Sequence, residues 1–125
     1  MSEQRDYITQ EDENGRIEIS NDVIAIIAAE AALEVEGIGG LAGGIGSDIA
    51  ELLGKKNLSK GIKIQTEEAE ITVEAHVLVK YGYVVTDVAR NIQDSITNAI
   101  EAMTGMTVST VNVHIAGIAF EKNAN

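Results

Sequence analysis

Apolar side chains take every second place from Ile71 to Tyr81, as Ile71, Val73, Ala75, Val77, Val79 and Tyr81. Thr72, Glu74, His76, Leu78 and Lys80 stand between them. A period of two predicts a strand with one buried face. Shorter alternations around Ile17 and Ile19, and around Ile62 and Ile64, predict two more strands, and the last stretch predicts a fourth with Val111, Val113 and Ile115 on one side. Apolar parity switches at Ile118, so a bulge is expected near Gly117. Helical spacing appears twice. Val23, Ile24, Ile27, Ala28, Ala31 and Val35 form one stripe after the capping run Ser20-Asn21-Asp22. Val85, Val88, Ala89, Ile92, Ile96, Ile100 and Met103 form a second, closed by Thr104-Gly105.

Ser47 opens a short helix holding Ile49, Leu52 and Leu53, and residues 67–70 make a hairpin turn. The order is therefore β-α-(short α)-β-β-α-β. Its simplest packing is an α+β two-layer sandwich, a four-stranded sheet with both long helices on one face. That order matches the split βαβ, ferredoxin-like pattern, with a KH-like sheet as the rival. The acidic residues 1–14 read as a disordered tail, 15–121 as a single domain and 122–125 as a frayed end.

The composition narrows the function more than it identifies it. The chain has 125 residues, no cysteine and a formal net charge of −11. Without cysteine there is no disulfide, thiolate metal site or thiol nucleophile, which fits a cytoplasmic protein. Nucleic acid is a line of negative charge, so an acidic body is a poor match for it. The longest apolar run, residues 23–29, is far shorter than the roughly 18 residues of a membrane span. No secretory signal opens the chain.

Candidate chemistry is sparse. Six of the ten residues from 37 to 46 are glycine. Gly37-Ile38-Gly39-Gly40-Leu41-Ala42 meets the loose dinucleotide pattern, but that pattern needs a strand before it and a helix after it. Here it follows a helix C-terminus, whose partial charge repels phosphate. The stretch reads instead as a mobile connector, or as a loop on which Ile38, Leu41 and Ile45 order against a partner. Lys55, Lys56, Lys60 and Lys63 reverse the local sign of charge and could receive an acidic partner, a phosphate or a membrane surface. Glu74 and His76 share a strand face and could donate two metal ligands; two ligands do not make a zinc site, and a third from Asn112 or His114 would require neighbouring strands. No serine lies in a nucleophile elbow. The residues define no catalytic set, cofactor site or metal site. A small ligand-binding or enzyme domain on the polar sheet face is the alternative function.

Several stretches together resemble the alkaline-shock protein, or envelope stress response, family of Gram-positive bacteria. They are Gly15-Arg16-Ile17-Glu18-Ile19, Glu34-Val35-Glu36-Gly37-Ile38, Tyr81-Gly82, Asn91-Ile92-Gln93 and Val111-Asn112-Val113-His114-Ile115. Gly54-Lys55-Lys56 and Gly61-Ile62-Lys63-Ile64 resemble the branch found beside acetyl-CoA carboxylase subunits. The resemblance implies a non-enzymatic cytoplasmic protein that forms homo-oligomers. It implies as partners a small membrane-anchor protein, or acetyl-CoA carboxylase subunits with a part in controlling fatty acid synthesis.

Overall fold

The structure, a computed structural model, describes residues 7–43 and 60–120. Eight elements follow in order: β1 (Tyr7–Asp12), β2 (Gly15–Ser20), α1 (Asn21–Leu33), β3 (Ile38–Leu41), β4 (Ile62–Glu67), β5 (Glu70–Lys80), α2 (Val85–Thr104) and β6 (Thr107–Ala119). The strand with the cleanest alternation, β5, is the spine. Ile71, Val73, Ala75, Val77 and Val79 are completely buried on one face. Both helices cover that face, and their buried residues share a single core with it, so the two-layer α+β reading holds.

The strands around β5 are arranged differently from the split βαβ expectation. β4 forms an antiparallel hairpin with the first half of β5, from Glu67 opposite Glu70 to Ile62 opposite Ala75. β3 runs antiparallel to the second half, with Ile38 opposite Val79 and Leu41 opposite Val77. The two short strands thus lie end to end along one edge of β5, joined to it through Ala42 N–H to His76 C=O (2.7 Å) and His76 N–H to Gly61 C=O (2.8 Å). β6 lies along the other edge and runs parallel to β5, the geometry of a β-helix-β crossover through α2. Its register slips twice, once at Ser109 and again at Ala116, immediately before Gly117. The second slip is the bulge that the parity switch predicts.

Strand 15–20 is therefore not part of the four-stranded sheet. It pairs with β1 in a separate antiparallel hairpin, from Tyr7 opposite Ser20 to Asp12 opposite Gly15. This corrects the reading of residues 1–14 as a disordered tail: 7–12 are a strand and 13–14 its turn, while 1–6 lie outside the described residues. The physical reason is one anchor. Ile8 is buried in the core, and the acids around it face water. The turn is fixed by Asn14 N–H donating to Asp12 Oδ1 at 2.8 Å.

Helix α1 starts as its cap predicts, with Val23 N–H donating to Ser20 Oγ at 3.2 Å. It is buried on more sides than one stripe, because Ala25, Ala29 and Ala32 are buried as well as Ile24, Ile27, Ala28 and Ala31. Alanine leaves room for close neighbours, and α1 touches α2, β4, β3 and β2. Ser95 Oγ of α2 donates to Ala31 C=O at 2.9 Å and pins the helices together. Helix α2 buries Val88, Ile92, Ile96 and Ile100, and ends at Gly105 in the left-handed region. Met103, expected on the same stripe, is 71% exposed.

The glycine-rich stretch corrects the mobile-connector reading over its first half. Residues 38–41 are a strand, and Gly37 and Gly39 sit where no Cβ fits. A Cβ on Gly39 would stand 2.7 Å from Ala119 Cβ. One on Gly37, whose φ is +98°, would stand 2.7 Å from the Tyr83 ring and 2.8 Å from Val88 Cγ2. The end of the stretch and the short helix expected at residues 49–53 lie outside the described residues.

Candidate functional site

The sheet face turned away from the helices collects the polar positions of β4, β5 and β6. Period-two alternation puts them there, since every residue between the buried ones of β5 must point outward. Lys63 of β4 stands opposite Glu74, and Glu74 stands beside Asn112 of β6. Asn112 Nδ2 donates to Glu74 Oε2 at 3.0 Å. One step along, His76 and His114 lie side by side, ring centroids 5.0 Å apart and planes tilted by 50°. Thr72 beside Thr110 and Leu78 beside Gly117 complete the ladder. Its chemistry is that of a hydrogen-bonding surface with two imidazoles at its centre, Lys63 and Glu74 beside them, and Glu70 and Lys80 at its ends. Among the described residues no cluster of three or more His, Cys, Asp or Glu has the geometry to hold a metal ion.

The residues predicted to meet partners end up dispersed. Ile38 is buried opposite Val79 and belongs to the core, which corrects its assignment as a partner contact. Leu41 is half-buried and packs on the same core. Lys60 is half-buried in the turn before β4, with its aliphatic stem against Gly43. Lys63 is exposed on the outer sheet face. Lys55, Lys56 and Ile45 lie outside the described residues. The structure therefore brings neither the four lysines nor the three apolar residues into one described patch.

Sequence reasoning missed a different surface. Tyr81 has the parity of a core residue, yet it is 72% exposed, in the turn that follows β5. Its ring stacks on Phe120, 69% exposed, at 5.2 Å and 22°. Ile118, Tyr83 and Val84 add exposed apolar groups around the same strand ends. The signal was available: two aromatic residues directly follow two long parallel strands, and parallel register brings such ends together. On the helical layer, a groove of about 290 Å³ runs between α1 and α2, lined by Ile26, Ile27, Ala31, Ala99 and Met103 with Glu30 and Glu34 beside them.

Residues 9–120 match the model of the alkaline-shock protein family, described as having a cell envelope-related function. An uncharacterized Bacillus subtilis (strain 168) protein, YqhY, is 34% identical over 110 residues, which span 88% of this chain and 82% of the relative. A second from that strain, YloU, is 34% identical over 106 residues, 83% of this chain and 88% of its own. Among solved structures, a variant of MamM CTD aligns with a TM-score of 0.48 at 14% identity, over 81% of this chain and 95% of that one.

Proposed function

This chain belongs to the alkaline-shock protein family of cell envelope-related proteins, and from that premise we propose that it is a non-enzymatic binding module, a scaffold that associates with copies of itself. It works in the cytoplasm, peripheral to the membrane through a small anchor protein. The carboxylase-linked branch it resembles adds acetyl-CoA carboxylase subunits as a partner and control of fatty acid synthesis as the output. No helix among the described residues is long and apolar enough to cross a membrane.

One observation carries the reading: the stacked Tyr81–Phe120 pair with Ile118 beside it, held in the open at the ends of β5 and β6. Single exposed apolar residues are ordinary, but a contiguous aromatic cluster marks a surface built for contact.

Sedimentation velocity from low to high micromolar concentration tests the proposal. The expected result is reversible association that weakens in Tyr81→Asp/Phe120→Asp, with circular dichroism unchanged. A monomer at every concentration overturns it. So does turnover of acetyl-CoA, malonyl-CoA or a nucleotide that is lost in His76→Ala.

A further inference from the structure

The sheet has two edges, and they differ in charge. The β4 edge carries Lys63 and Glu67. β6, thirteen residues long, carries no Asp, Glu, Lys or Arg. Among the described residues it pairs only with β5, and none of them forms a strand on its other side. Proteins normally blunt an edge of this length with charge, proline or a covering element. Here two side chains of α2 reach the strand's main chain. Gln93 Nε2 donates to Val111 C=O at 3.1 Å, and Glu101 Oε2 accepts from Val108 N–H at 3.0 Å. They meet two positions of the thirteen.

We propose that β6 is the seam between two copies of this chain, joined antiparallel about Val113 so that the two sheets become one. The proposal rests on the self-association reading and gives it a second contact, distinct from the Tyr81–Phe120 cluster. The occupant of a free strand edge must be another strand, because only a strand offers N–H and C=O groups at matching intervals. A second copy of β6 is the match in charge. The body is at −11, so two copies repel wherever acids face each other, and the uncharged strand is where they can approach.

The register follows from the pleat. The two slips leave a regular stretch from Thr110 to Ile115. In a two-fold antiparallel pair, residues directly opposite each other point to the same face, so the axis must pass through a residue and not between two. An axis at Val113 sets Val113 against itself and Val111 against Ile115 of the second copy, all β-branched and all on the core side. Val113 and Ile115 are half-buried in the single chain and have surface left to cover. On the outer face the same axis sets Asn112 against the other copy's His114. Four polar residues then cross the seam in one line: Glu74 and Asn112 of one copy, His114 and His76 of the other. An axis at Asn112 would leave Ile115 opposite the slip at Ser109, with no apolar partner. Gln93 covers in the lone chain the carbonyl that the second strand's N–H takes up in the pair.

The test uses paired charges on the full chain, read by sedimentation equilibrium. Asn112→Lys/His114→Lys places like charges opposite each other twice across the seam and is expected to weaken association about tenfold or more. Asn112→Lys/His114→Glu places opposite charges there and is expected to associate within about threefold of the wild type. Circular dichroism and thermal melting of both variants establish that each is folded. If the wild type associates and both variants match it, self-association stands and the β6 seam is overturned. If both variants weaken equally, the register about Val113 is overturned. A wild type that stays monomeric overturns self-association itself.

Discussion

Glu68 holds a positive φ of 57°, alone among the described non-glycine residues. It sits in the two-residue turn between Glu67 and Glu70, so the tightest point of the β4–β5 hairpin combines a Cβ clash with three carboxylates close together. An L-residue in the left-handed region is less stable by about 1–2 kcal/mol, and glycine gives back part of that through its freer unfolded chain. Glu68→Gly should therefore stabilise the protein by about 0.5–1 kcal/mol, read as a higher urea midpoint with an unchanged slope. Gly37 is the opposite case. Its φ of +98° disfavours any side chain, and Tyr83 and Val88 occupy the space a Cβ needs. Gly37→Ala should cost about 2–4 kcal/mol, combining backbone strain with overpacking, and should lower the same midpoint. Equal midpoints for wild type and Gly37→Ala would show that Tyr83, which is half exposed, moves aside freely.

Secondary elements were legible where one residue pattern decides them. The alternation in β5 reports a single buried face, the stripe in α2 reports its packing side, and the parity switch at Ile118 reports the slip at Ala116. β3 was hidden because Ile38-Gly39-Gly40-Leu41 has no alternation to read. Its pairing is decided by β5, some forty residues away, and Gly39 records closeness to Ala119 and Leu78, not freedom. β1 was hidden because one isoleucine anchors it among acids, although Asn14-Gly15 is a hairpin signal. The contact surface was hidden for a related reason: parity assigns Tyr81 to the core, although it stands in the turn beyond the end of β5. The corrected view of residues 37–42 makes its own prediction. Ala42 N–H donates to His76 C=O and His76 N–H to Gly61 C=O, so both amides should exchange with solvent orders of magnitude more slowly than those of the β1–β2 turn. Fast exchange at Ala42 in hydrogen-exchange NMR would return the stretch to a loosely held connector.

At the scale of the whole molecule, charge is the dominant fact. Twenty acids face nine Lys and Arg, and the resulting −11 is spread over a small body. The two ion pairs found among the described residues, Arg16–Glu18 and Arg90–Asp87, are both exposed at 3.3 Å and contribute little. The helical layer is the most one-sided: α1 holds Asp22 and Glu30 with no base, and α2 holds Asp87, Asp94 and Glu101 against Arg90. Repulsion within such a layer opposes the compact state, and salt screens it. Raising NaCl from about 10 to about 200 mM shortens the screening length from about 30 to about 7 Å, so thermal stability should rise by a few degrees. The same change acts on association. A seam built from hydrogen-bonded main chain and β-branched side chains contains no ion pair for salt to weaken, whereas the acidic bodies on either side repel less. Added salt should therefore tighten self-association, and the association constant from sedimentation equilibrium should increase across that range. A decrease would mean that opposite charges, not the uncharged strand, hold the copies together, and would shift the contact toward Lys60, Lys63 and the acids of a neighbouring copy.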